Sequence, residues 1–251
     1  LFTLLCILFV SMIAAAVIFG THMYQNSDEQ RPHRLLRRAE AKGYGFEENG
    51  NAQLQNLNNR SPLFLAGDNR SIHNVIYGPH RDIEFKLFDY RFVNGEHTFN
   101  TSVLTFELKN KGLPRFSLWP RMMMPLQSIL EPEHDCIALN LDGTGHASQI
   151  QNLYSLHTAC EGIARQLFCP KAVEYLAAHP NFFIEGYGNR IFIYQLNKRR
   201  KPGNIENMLH CGYQILRALR LNDSRVNFEP EMDGDDIETM EESAATPARP
   251  T

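Results

Sequence analysis

The sequence predicts an α+β fold: an antiparallel sheet of hairpins packed with helices, preceded by one N-terminal transmembrane helix. Three observations predict it. Residues 1–20 carry no charge at all. Ile83, Phe85 and Leu87 alternate with Glu84, Lys86 and Phe88 and lead to Asn94 and Gly95, a strong hairpin signal. Ile205, Met208, Leu209, Tyr213, Leu216 and Leu219 fall close to one helical stripe. Hairpins with helices grouped between and after them place those helices against an antiparallel sheet.

As a helix rising about 1.5 Å per residue, the uncharged segment is long enough to cross a hydrocarbon core of about 30 Å. A basic cluster follows it, Arg31, Arg34, Arg37, Arg38 and Lys42. Cations beside a span bias that side toward the cytoplasm. These residues are the candidate membrane-surface set, each worth about 1 kcal/mol near anionic headgroups. Their plainer role is a solvated stop-transfer flank. A secretory signal peptide competes with the anchor. Ala14, Ala15 and Ala16 imitate a cleavage site, but Val17, Ile18 and Phe19 continue the apolar run past it. The chain begins at Leu rather than Met, which leaves room for an upstream piece.

Four segments result: a transmembrane anchor over 1–20, a basic juxtamembrane helix and polar loop over 21–62, a soluble α+β domain over 63–222, and an acidic disordered tail over 223–251. Within the second, residues 33–42 permit a helix that Gly43 stops, and the Asn/Gln-rich stretch 49–59 reads as a loop. In the domain, residues 74–77 are extended and Gly78 with Pro79 reads as a turn. Strands follow over 82–93, 102–108 and 115–119, with Gly112, Leu113 and Pro114 breaking the second from the third. Residues 122–130 fit neither period, 136–141 and 153–156 read as short strands, and 161–168 as a helix. Pro170 suits the first turn of the next helix, over 171–178. Residues 182–185 and 190–196 make a second hairpin around Gly186, Tyr187, Gly188 and Asn189.

Net charge is −3 and the isoelectric point about 6.4, so nothing calls for a nucleic-acid partner. Five cysteines without paired spacing favour reduced thiols over a disulfide frame.

Taken in order, the apolar segment, Arg37-Arg38-Ala39-Glu40-Ala41-Lys42-Gly43-Tyr44, Phe88-Asp89-Tyr90-Arg91-Phe92, Leu113-Pro114-Arg115-Phe116-Ser117-Leu118, Arg165-Gln166-Leu167-Phe168 and Ile184-Glu185-Gly186-Tyr187-Gly188-Asn189 form a familiar series. Over most of residues 35–220 it resembles a loose group of uncharacterised bacterial membrane-anchored proteins. The resemblance implies architecture and a bacterial origin, and brings no catalytic residue with it. The closing amphipathic helix also resembles that of a pleckstrin-homology-like barrel.

Chemistry has few footholds. His134, Asp135 and Cys136, or His157 with Cys160, are the nearest approach to a metal cluster, but a closed tetrahedral site needs four ligands in close pairs. Cys160 precedes an expected helix and has His157 three residues upstream, the least unsuitable thiol nucleophile; a small buried thiol is the plainer account. Asp142-Gly143-Thr144-Gly145 matches neither an acid-protease nor a phosphate-loop order and reads as a turn. Asp89, set among strand aromatics, could pair with an Arg on an adjacent strand or be a solvent-facing member of the alternation, and Glu185 reads as a turn residue; either could line a pocket, with an ion pair or turn role the plainer account. The expected function is a non-enzymatic, membrane-anchored module binding a protein or lipid partner at the inner face of a bacterial membrane, without a cofactor. A membrane-bound hydrolase or thiol enzyme and a structural subunit of a membrane complex are the alternatives.

Overall fold

A computed structural model describes residues 28–54, 57, 61–109, 112–123, 129–130, 136–137, 152–158, 162 and 166–221. The expected anchor, the acidic tail, His134, Cys160 and half of the helix expected over 161–168 lie outside the described residues. Among the described residues, no helix is long and apolar enough to cross a membrane.

The chain is α+β. Its strands are β1 (Gly45–Asn49), β2 (Asp68–His80), β3 (Ile83–Asn94), β4 (His97–Glu107), β5 (Leu113–Pro120), β6 (Cys136–Ile137), β7 (Tyr154–Thr158), β8 (Phe183–Gly188) and β9 (Arg190–Tyr194). Among the described residues they form one 9-stranded sheet in the order β1-β2-β3-β4-β9-β8-β5-β7-β6. Every neighbouring pair is antiparallel. The β8–β9 hairpin, last in sequence, therefore inserts into the middle of the sheet and joins the β1–β4 meander to β5. The order runs from β1 to β6 without closing, so the barrel analogy does not hold among the described residues.

The period-2 alternation places two cores on opposite faces. Phe85, Leu87, Leu104, Phe106, Ile184, Ile191 and Ile193 line the first face. Three helices cover it: α1 (Arg31–Glu40) through Leu35 and Ala39, α4 (Pro170–Ala178) through Ala172, Val173 and Leu176, and α5 (Ile205–Ala218) through its apolar stripe. A Cβ on Gly212 of α5 would lie 2.4 Å from Leu104 Cδ2, so this helix sits as close to β4 as a glycine allows. Between β1 and β2 lie two short helices, α2 (Asn51–Leu54) and α3 (Pro62–Leu65). The second face carries Phe88, Tyr90, Phe92, Val103, Trp119, Phe183, Phe192 and Tyr194, with Leu63 and Phe64 of α3 packed over them. The Phe64 ring meets Tyr90 and Phe192 edge-on at 5.1 and 5.3 Å.

Several boundaries differ from the sequence reading. The sheet already begins at Gly45, within the stretch read as juxtamembrane, because β1 pairs with residues 73–77 of β2. Gly78 and Pro79 lie in β2 rather than in a turn, since His80 pairs with Ile83 and the turn is at Arg81 and Asp82. In a two-residue hairpin the closing pair is hydrogen-bonded and the next pair is not. The Pro79 nitrogen thus points away from β3, toward the side where β1 has already ended at Gly45, and no ladder bond is lost. Leu113 and Pro114 likewise begin β5 instead of breaking the chain. The hairpin signalled by Asn94 and Gly95 is present with its turn one residue on, at Gly95 and Glu96, where Gly95 adopts φ 58°.

Candidate functional site

Asp89 sits on the first face near the N-terminal end of α1 and is 7% exposed. Arg31, the first residue of α1, grips its carboxylate with two donors, Nε at 2.6 Å and Nη2 at 2.7 Å. Asn74 Nδ2 donates at 3.0 Å and Ser102 Oγ at 2.8 Å. Arg31 also donates to the Arg200 carbonyl, and the Arg200 N–H donates to Ser102 Oγ. One carboxylate thus ties α1, β2, β3, β4 and the segment after β9 together. The sequence raised an Asp89–Arg pair. The arginine comes from α1, 58 residues upstream, rather than from a neighbouring strand. A polar cleft of about 420 Å³ opens beside this knot, lined by His73, Arg91, Asn100 and Arg199 among others.

Glu185 lies on the second face, 1% exposed, and is not a turn residue: the hairpin turns at Gly188 and Asn189. Its Oε1 accepts from Trp119 Nε1 at 3.0 Å and from the Tyr194 hydroxyl at 2.6 Å. Its Oε2 accepts from the hydroxyl of Ser61, and the Leu63 backbone N–H adds a further bond. Burial pushes the Glu185 carboxyl above its ordinary range, against the pull of these donors. Burial, reinforced by the Glu185 carboxylate, also holds the Tyr194 phenol well above its usual value. The arrangement fastens the approach to α3 onto the centre of the sheet. All its carboxylate oxygens are already engaged, so it is built to hold structure.

The remaining feature is open. Where the second face runs out beyond α3, a groove of about 200 Å³ crosses β3, β4 and β9. Its floor is set by register: Glu84 pairs with Glu107 and Lys86 with Thr105, while Glu107 pairs on its other side with Arg190 and Thr105 with Phe192. Phe88 and Leu57 supply apolar surface, Gln53 forms part of one wall, and Tyr77, 44% exposed, stands at the edge. Lys86 donates to Gln53 at 3.2 Å, and Glu107 accepts from Asn189 at 3.1 Å. No ion pair joins Glu84, Lys86, Glu107 and Arg190 to one another among the described residues. Thr105, 6% exposed, has a hydroxyl without a hydrogen-bond partner. Sequence reasoning missed this site. Its signal was the charged alternation at Glu84 and Lys86, which on its own marks only a solvated strand face.

The basic candidates separate in space. Arg31 is held by Asp89, with 11% of its side chain exposed. Arg38 and Lys42 both face Glu206 at the start of α5, at 2.8 and 3.7 Å. Burial pushes the Glu206 carboxyl up, but the Arg38 hydrogen bond and the two cations outweigh it and hold the group below its usual range. Arg37 is exposed, its Nε donating to the His33 carbonyl, and Arg34 is partly buried on the same helix. His157 lies on β7 with its ring 4.9 Å from that of Trp119. No group of three metal-ligating side chains occurs among the described residues.

No protein-family model and no curated protein matches the chain. Its fold is similar to the crystal structure of the mycobacterial trehalose monomycolate transport factor A, TtfA, with a TM-score of 0.53 and 13% identity over 77% of this chain and 94% of that one. The likeness shows a shared fold.

Proposed function

We propose that the chain is a membrane-anchored, non-enzymatic module that binds a protein or lipid partner at the inner face of a bacterial membrane. The groove on the second face carries this reading. Four charged side chains line it beside the apolar surface of Phe88 and Leu57 without pairing among themselves, which suits them to meet an incoming group. The two buried carboxylates, by contrast, are saturated by the protein's own donors. The uncharged segment 1–20 would supply the tether, and α1 follows it closely in sequence. Arg37 and Lys42, exposed on and just after that helix, would then face the headgroups. The fold is shared with a trehalose monomycolate transport factor, and at 13% identity neither its role nor its cargo carries over.

Alkaline carbonate extraction of membranes from cells making the full chain tests the tether. The chain is expected in the membrane pellet, and a variant lacking residues 1–20 in the supernatant. Release of the full chain by carbonate would overturn the anchored reading.

A further inference from the structure

We infer that the groove across β3, β4 and β9 binds the headgroup of a zwitterionic phospholipid, a phosphodiester joined to a primary ammonium. The inference rests on the membrane-anchored reading and names the ligand class of the same groove.

Charge placement leads to it. Glu84 and Glu107 are direct cross-strand partners. Like charges directly opposite each other on a sheet are destabilising unless something lies between them. No basic side chain pairs with either carboxylate among the described residues, although Lys86 and Arg190 stand beside them. A ligand ammonium seated between the two acids would relieve that repulsion with charge-assisted hydrogen bonds. Lys86 and Arg190 then remain for an anion, and a guanidinium suits phosphate oxygens well. Neighbouring strands are about 4.8 Å apart and alternate residues on one strand about 6.6 Å. Both charges of one small headgroup can therefore be met at once. An ammonium alone would leave the cations unmatched, and an anionic headgroup alone would meet the acids.

The rest of the groove fits the same molecule. The Thr105 hydroxyl lies on the floor beside Lys86 without a partner and can turn toward a phosphate oxygen. Phe88, Leu57 and the exposed Tyr77 offer apolar surface for the glycerol and the first acyl carbons. A volume of about 200 Å³ admits a headgroup and leaves the acyl chains outside.

The test is calorimetric titration of the purified full chain in detergent with dihexanoyl phosphatidylethanolamine. Dihexanoyl phosphatidylglycerol and acyl-free glycerophosphoethanolamine serve as comparators. Binding of the ethanolamine lipid is expected at least tenfold tighter than either. Both E84Q/E107Q and K86Q/R190Q are expected to weaken it at least tenfold, with the ligand-free E84Q/E107Q melting above the parent because the Glu84–Glu107 repulsion is gone. Equal binding of the two lipids, or binding unaffected by both double variants, would overturn the inference. Binding of the acyl-free compound as tightly as the lipid would overturn the lipid source. If the chain remains in the carbonate-washed pellet while these titrations fail, only the ligand assignment falls. Release by carbonate removes the anchored reading itself, whatever the titrations give.

Discussion

Replacing Glu185 by alanine destabilises the domain by about 3–5 kcal/mol, as much as truncating one of the buried aromatic rings around it. Two effects combine. The Trp119 indole N–H and the Tyr194 hydroxyl lose the acceptor they share, in a place water does not reach. The removed atoms also leave a cavity at the centre of the sheet, where Ser61 no longer holds the approach to α3. Glu185→Gln behaves differently. Its carbonyl oxygen keeps both Trp119 and Tyr194, and the Ser61 hydroxyl can reverse to accept from the amide.

The pH dependence of the two proteins separates them further. With a folded-state pKa raised by burial, Glu185 stabilises the fold most in acid, below the ordinary glutamate range, and that contribution is lost as pH rises toward its folded value. Glutamine has no such loss. The stability of Glu185→Gln relative to the parent therefore improves as pH rises from the ordinary glutamate range upward. Urea unfolding of both proteins across that range measures it, and a difference that stays flat or reverses would show that Glu185 is not held up by burial. Glu206 works in the opposite sense: its carboxyl is depressed, so its stabilisation is present above the ordinary value and lost in acid.

Asp89→Ala has a comparable effect by another route, about 3–5 kcal/mol. Arg31 would remain among buried atoms with no carboxylate, while Asn74 and Ser102 would lose their acceptor. Breaking one side of a buried pair costs far more than removing both charges in favour of apolar groups. The double replacement R31L/D89L should accordingly recover part of the loss. Urea unfolding of the single and double variants gives the coupling. Additive losses would mean that the pair does not fix α1 to the sheet.

Why these two carboxylates were only partly legible is a matter of distance along the chain. Asp89 stood out because a carboxylate amid Phe88, Tyr90 and Phe92 needs a partner if it is buried. Nothing local indicates that the partner is Arg31, a member of what reads as one uniform basic flank. Glu185 was hidden by its neighbours, because Gly186, Tyr187, Gly188 and Asn189 look like a four-residue turn. The turn uses only the last two, so Glu185 lies well within β8. Its donors Ser61 and Trp119 come from segments 124 and 66 residues away.

The strands and the helices α4 and α5 were more accessible, since period-2 and helical apolar patterns with a proline or paired glycines at their ends are local signals. Strand order was not. The groove exists because β9 lies beside β4 and brings Arg190 against Glu107, a pairing fixed by packing of the whole sheet rather than by any short pattern.

The most direct measurement is protease protection of the full chain in intact spheroplasts against a lysed control. The account predicts that the residues beyond the anchor survive until lysis, as expected of a domain at the inner face of the membrane. Digestion in intact spheroplasts would contradict it, placing the domain and its groove on the outer side and turning the search for a partner to the cell envelope.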